Sequence, residues 1–111
     1  MNENEPIFFS DTLIKINKFS IWQKRVFVVT NLHILNLQQK KGVNKFGLWK
    51  KIKIEHVAGI TKSLVSDEMV IHIKKDFDYW LVYDKKDELI DCINMAYISS
   101  LKKNLSIFGV K

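Results

Sequence analysis

The sequence predicts a mainly β domain, seven strands bent into an antiparallel barrel, with one C-terminal α-helix capping it. Three observations carry this reading. Short alternating or β-branched segments recur from Thr12 to Tyr83, turn residues separate them, and after Asp84 the apolar period changes from that of a strand to that of a helix. The length, 111 residues, suits one domain and leaves too little chain for two adequate cores.

The first strand is "TLIKIN", in which Thr12, Ile14 and Ile16 alternate with Leu13, Lys15 and Asn17. The polar start "MNENE" reads as part of a flexible segment, residues 1–7, before a domain over 8–111. "RVFVVT" is nearly continuous in apolar character and reads as a buried second strand. A tight Thr30-Asn31 turn leads to a hairpin partner, "TNLHILNLQ", with Leu32, Ile34 and Asn36 on one side and His33, Leu35 and Leu37 on the other. "QQKKGVNKFG" is a lysine-rich loop. "LWKKIKI" then places Ile52 and Ile54 on one face and Lys51 and Lys53 on the other. "VAGITKS", interrupted by Gly59, "EMVIHIKK" and "DYWLVYD" complete the seven, with Ser66-Asp67 and Asp76 to Asp78 as the intervening turns. From Asp84, read as an N-cap with Asp87 at N3, residues Leu89, Ile93, Ala96, Tyr97 and Leu101 share one helical face. The helix is expected to run to about Lys103, where Lys102 and Lys103 complement its negative end. Seven strands followed by one amphipathic helix is the order of the pleckstrin-homology architecture.

Composition excludes several classes. Hydrophobic residues at 47% and charged residues at 27% match an ordinary globular domain rather than a disordered chain. Apolar runs such as "VFVV" and "IFF" fall far short of the roughly 20 residues of a spanning helix. Acidic Glu3 and Glu5 at the start and a single cysteine, Cys92, lead us to expect a cytoplasmic chain. Net charge is +6, and it is unevenly placed: between Lys15 and Lys62 eleven basic residues face one acid, Glu55, which makes that segment +10 and the remainder −4. Such asymmetry points to an anionic partner.

One long stretch, "VAGITKSLVSDEMVIHIKKDFDYWLVYDKKDELIDCINMAY", resembles the tail homology 1 domain of class I myosins. The matching residues are Gly59, Ile60, Ser63, Leu64, Ser66, Asp67, Val70, Ile71, His72 and Ile73. Upstream, "DTLIKINKFSIWQKRVFVVTNLHILNL" is similar to that family's first strands, with Arg25 directly before "VFVVT", and "LSIFGV" is similar to its ending. The likeness runs over roughly residues 8 to 108. It implies attachment to anionic phospholipids, often phosphoinositides, by a Lys ending the first strand and an Arg in the second; Lys15 or Lys18 and Arg25 hold those positions. It also implies peripheral membrane or cytoskeletal localisation. The physical reason is independent of the family, since antiparallel strands point alternate side chains into a barrel mouth, where a Lys and an Arg can clamp one phosphate.

The candidate phosphate ligands are therefore Lys15, Lys18, Lys24 and Arg25. Between them lies "KFSIWQ", whose Phe19, Ile21 and Trp22 are candidates for contact with a membrane interface or a partner; the alternative is that they fold back over the barrel's open end. Lys40, Lys41, Lys45, Lys50 and Lys51 form a secondary basic patch. Phe46 and Trp49 interleave with lysines as in single-strand nucleic-acid binders, but barrel strands alternate in this way in any case, and nucleic acid is the weaker reading. His33, His56 and His72 lack the short spacing of metal ligands and read as structural. Cys92 reads as a packed thiol, and Asp87, Glu88 and Asp91 as a solvated helix face. With no GxxxxGK, GxGxxG or GxSxG segment, an enzyme and a cofactor are not expected. The leading reading is a membrane-targeting module; the alternative is a protein-interaction domain of a cytoskeletal or ciliary protein on the same scaffold.

Overall fold

The computed structural model describes residues 5–39 and 46–111, without the side chains of residues 39, 46, 48 and 49. Strands β1 (Ile7–Ile16), β2 (Trp22–Thr30), β3 (His33–Gln39) and β4 (Phe46–Lys53) form an antiparallel meander. A single 3-10 turn, Ile54–His56, leads to β5 (Val57–Ser63), β6 (Glu68–Ile73) and β7 (Tyr79–Val82), and helix α1 (Lys86–Leu101) follows. Strand β8 (Ile107–Val110) ends the chain's regular structure. All belong to one sheet in the order β4-β3-β2-β1-β7-β6-β5-β8. The sheet folds over so that Phe27 from its first half meets Tyr79 from its second, ring to ring at 5.4 Å.

The seven expected strands are present, and β8 is an eighth among the described residues. It also breaks the antiparallel rule, pairing parallel to β5. Its four residues, Ile-Phe-Gly-Val, carry no legible period, and their pairing depends on where α1 delivers the chain. Two other expectations shift. Glu5 is buried against His33 (2.5 Å) and Ile7 already pairs with Thr30, so the segment expected to be flexible through residue 7 belongs to the fold from Glu5 onward. Residues 1–4 lie outside the described residues. The helix N-cap is Lys85, not Asp84, without a side-chain hydrogen bond, and the helix stops at Leu101 with Lys102 in the left-handed conformation. The Lys102 ammonium donates to Ser99 O (2.9 Å), so the basic end does complement the last turn.

The core forms where both halves of the sheet and α1 turn apolar residues inward. Leu13, Phe27, Val29, Ile34, Ile52, Ile60, Ile71 and Leu81 meet Leu89, Ile93 and Ala96 of the helix. Each of these side chains larger than alanine contributes about 2 kcal/mol by leaving water. Gly59 ends the register shift that follows Val57, and a Cβ there would stand 3.1 Å from Ser106 O, the carbonyl that accepts Ile60 N–H (2.9 Å). A side chain at 59 would push against the β8 pairing, which is why the strand carries a glycine at this point.

The helix is tied to β1 at its start. Tyr83 O–H donates to the Asp11 carboxylate (2.5 Å), which also accepts Thr12 N–H, and together these hold Asp11 below its ordinary value of 3.8. Burial, with the Asp11 bond adding to it, pushes the Tyr83 phenol well up. Because the folded Asp11 is more acidic than the unfolded one, its contribution is complete above about pH 4 and fades as pH falls. Tyr83→Phe is expected to lower stability by about 1 kcal/mol at neutral pH, and the gap from wild type should narrow in acid. Urea unfolding at a series of pH values checks this; a gap that stayed constant or widened in acid would contradict it.

Candidate barrel-mouth site

Strand register decides which basic residues converge. Leu13 is buried, so the face it shares with Lys15 is the inward one, and cross-strand partners share a face. Arg25 lies opposite Leu13 and Gln23 opposite Lys15, so Lys15 and Arg25 are diagonal neighbours facing inward, roughly 7 Å apart by sheet geometry. On β4, Lys50 lies opposite buried Asn36, and it too faces inward. Lys24 lies opposite Ile14 on the outer face. That corrects the expected grouping: Lys24 is adjacent to Arg25 in sequence and is directed away from it by the pleat.

Burial and mutual repulsion act against the cations at the mouth. Burial lowers the Lys15 ammonium below its ordinary value, and Arg25 and Lys50 add like-charge repulsion. Burial acts against the Arg25 guanidinium as well, which donates to Lys24 O at 2.8 Å. Lys15 Nζ lies 5.8 Å from the Tyr79 ring centre, a cation–π contact that offsets part of the cost. Beneath it, burial pushes the Tyr79 phenol up to about 12; the Asn36 amide beside it opposes the shift and Asp76 reinforces it. By strict hydrogen-bond geometry the Asn36 amide and the Tyr79 hydroxyl keep unused capacity among the described residues.

The β1–β2 loop is organised by Asn17. Its side-chain oxygen accepts N–H from Phe19 (2.9 Å) and Ile21 (3.0 Å), while Ser20 N–H donates to Asn17 O (2.9 Å). Ser20 takes a left-handed φ of 62° to make this turn. With the loop's polar groups satisfied internally, its apolar side chains turn outward: Phe19 is 72% exposed, Ile21 55% and Trp22 64%. They do not fold back over the barrel.

Sequence reading missed a fourth apolar residue at this end. Phe77, in the β6–β7 turn, is 78% exposed, and Lys18 Nζ lies 5.3 Å from the Phe19 ring and 5.9 Å from that of Phe77. Lys18 thus joins the two loop tips rather than the inward pair. The turn is fixed at its base by Asp78, which accepts Ile73 N–H (3.0 Å) and bonds His72 Nδ1 (2.7 Å), whose Nε2 meets the Thr61 hydroxyl (2.7 Å). Burial works against the Asp78 charge, but the His72 and Ile73 bonds outweigh it and hold the carboxyl below its ordinary value. The signal in the sequence was "KKDF", a second basic-then-aromatic turn like "NKFSIW". A cavity of about 500 Å³ between the loops is lined by Lys15, Ile16, Lys18, Phe77, Asp78 and Trp80.

The secondary patch is only partly seen. Lys40, Lys41 and Lys45 lie outside the described residues, as do the side chains of Phe46 and Trp49. Lys50 and Lys51 line a groove with Lys74 and Lys75, not anticipated from sequence. His33 and His72 are hydrogen-bonded within the fold, and the Cys92 thiol, raised by burial and by Asp91 and Glu88, donates to Phe8 O (3.3 Å). No group of three metal-ligating side chains occurs among the described residues, and no described helix is long and apolar enough to cross a membrane.

Comparison with known proteins agrees with this architecture. A family model described as "Unconventional myosin tail, actin- and lipid-binding" matches residues 1–108. The myosin IB heavy chain of Dictyostelium discoideum is 26% identical over 91 residues, which span 80% of this chain and 8% of that protein. Among solved structures, the hSac2 domain of the human phosphoinositide phosphatase Sac2 superposes with a TM-score of 0.76 at 11% identity, over all of this chain and 80% of that one. The pleckstrin-homology domain of human pleckstrin homology domain-containing protein family A member 5 gives 0.68 at 16% identity, over 88% and 82% of the two chains. At such identities the structures speak for the fold. The chain belongs to the unconventional-myosin tail family, as a tail homology 1 domain built on the pleckstrin-homology fold.

Proposed function

We propose that this domain is a peripheral membrane-binding module that takes the phosphates of anionic phospholipids at Lys15, Arg25 and Lys50. The observation that carries the reading is the crowding of these cations at the barrel mouth, where Lys15 is disfavoured by burial and by its two neighbours. An oxyanion entering the mouth relieves the repulsion and offers acceptors to the donors already facing inward. The family's description as actin- and lipid-binding supports the class of ligand. Phe19, Ile21, Trp22 and Phe77 supply an apolar rim that enters the headgroup region beside the bound phosphate, as aromatic side chains do at interfaces. Lys18 and Lys24 add long-range attraction at about 1 kcal/mol each near an anionic leaflet.

A second reading, contact with a cytoskeletal protein, is favoured by a different observation. On the outer face Trp22 and Trp80 flank Ile16 in one cross-strand row, and both indoles are exposed. Trp80 Nε1 donates to Glu68 (3.1 Å), which fixes the indole on the sheet as a preformed anchor.

Three measurements separate these readings. In co-sedimentation with phosphatidylcholine vesicles carrying phosphatidylserine or phosphatidylinositol 4,5-bisphosphate, binding should rise with anionic lipid and fall with salt. Arg25→Ala or Lys15→Ala should weaken it about tenfold or more, and Lys24→Ala, on the outer face, clearly less. Equal losses for Lys24 and Arg25 would overturn the inward clamp. Asn17→Ala should release the loop amides and weaken vesicle binding severalfold while the melting temperature changes little, since its bonds are at the exposed tip. Trp80→Ala should weaken vesicle binding far less than Arg25→Ala; loss of filamentous-actin co-sedimentation in that variant, with no vesicle binding by wild type, would establish the second reading instead.

A further inference from the structure

The groove along the free edge of β4 has no part in the site described above except through Lys50. It is a cavity of about 380 Å³ lined by Lys50, Lys51, His56, Lys74, Lys75 and Asp76. Two separate parts of the chain build it, β4 with the following 3-10 turn and the turn after β6. They are locked together by Lys74 N–H donating to His56 O (2.8 Å), and Lys75 takes a left-handed φ of 58° to close the turn. Four lysines therefore line one small concavity against one carboxylate.

That carboxylate occupies donors at the wall of the groove. Asp76 is bonded by the Lys50 ammonium and accepts Phe77 N–H (2.7 Å), a lysine and a backbone amide on one oxyanion. This is the donor set by which proteins hold phosphate. Lys50, the backbone amide and a minor Coulomb attraction hold the Asp76 carboxyl below its ordinary value in spite of desolvation. Lys51, Lys74 and Lys75 have no carboxylate to themselves among the described lysine salt bridges, which run from Lys50, Lys53 and Lys62.

We propose that this groove is a second phosphate-binding subsite, separate from the inward pair Lys15 and Arg25, in which the Asp76 carboxylate stands where a phosphate ligand would sit. The ligand class is a clustered phosphate, borne by a lipid headgroup or by a soluble inositol polyphosphate, and the volume is within the range of small-molecule sites. Lys50 belongs to both subsites, because its charge is felt by Lys15 at the mouth and is bonded by Asp76 in the groove. Asp76 then acts as an internal competitor: a phosphate of higher charge displaces it from Lys50 and gains Lys51, Lys74 and Lys75 in addition. The inference rests on the membrane reading only for the lipid source of the phosphate.

The test uses the full chain and two probes, inositol hexakisphosphate in solution by titration calorimetry, and phosphatidylcholine vesicles carrying phosphatidylinositol 4,5-bisphosphate by flotation. Lys74→Ala with Lys75→Ala should weaken binding about tenfold or more, and Asp76→Asn should strengthen it severalfold at low salt. Lys103→Ala, beyond the end of α1, controls for net charge and should change little. Weakening with the soluble probe assigns a free polyphosphate, and weakening with vesicles alone assigns the lipid headgroup; either supports the subsite. Wild-type binding of both probes by the double variant, weaker binding by Asp76→Asn, or an equal loss in Lys103→Ala would overturn it. Arg25→Ala keeps the two readings apart: loss there with an intact double variant removes the groove and leaves the mouth, and the reverse result removes the mouth and leaves the groove. Circular dichroism of each variant confirms that the fold is retained.

Discussion

The register of β1 against β2 is the constraint on which the site depends. A slip of one residue would exchange the two faces of β2, sending Arg25 and Phe27 outward and Lys24 and Val26 in. Two things prevent it. Below, Phe27 and Val29 fit among Leu13, Ile34 and Tyr79, and a slip would put the smaller Val26 and Val28 in their place. Above, Asn17 closes a loop of fixed length by bonding two amides at once. The hydrophobic core therefore determines the direction of the charges at the mouth, through the two-residue period of the strand.

With that register set, the mouth collects three cations, Lys15, Arg25 and Lys50, the last of them bonded by Asp76 of the β6–β7 turn. The interior beneath it is polar as well as apolar, since Asn36 and Tyr79 bring an amide and a phenol under the cations. Local rules of folding favour apolar, satisfied interiors, and departures from them concentrate where a ligand completes the arrangement. At the far end of the same strands the pattern is reversed. Thr30 accepts the Leu32 and His33 amides, Ser100 of the helix donates to Asn31 O, and Glu5 meets His33, so that end of the barrel is closed by its own groups. The molecule thus has one end closed largely by its own hydrogen bonds, with the buried Asn31 Oδ1 left without a partner among the described residues, and an open, cationic one.

Five of the solved structures similar to this chain share its fold at 9–16% identity, so little of the site can be inherited from the fold alone. What the scaffold supplies is geometry: loops β1–β2 and β6–β7 brought to one rim, with the free edge of β4 beside them. What this chain adds is chemistry on those positions, two aromatic loop tips joined by Lys18 and four lysines around Asp76. A rigid sheet with variable loops is the usual way in which one architecture carries many binding functions.

Much of this was legible in the sequence. Period-two alternation located the seven strands, the change of period located the helix, and the basic excess between Lys15 and Lys62 pointed to an anionic partner. These are local properties, written in runs of neighbouring residues. The tertiary structure decided the rest. It separated Arg25 from Lys24 by face, brought Lys50 to Lys15 from across three strands, and placed Phe77 beside Phe19 and Lys74 beside Lys51. It also made a strand of Ile107–Val110, which has no pattern of its own. Apart from the separation of Arg25 from Lys24, which the pleat imposes on neighbours, each of these joins residues far apart in sequence, and such pairings follow from register and sheet curvature, which no short window of residues contains.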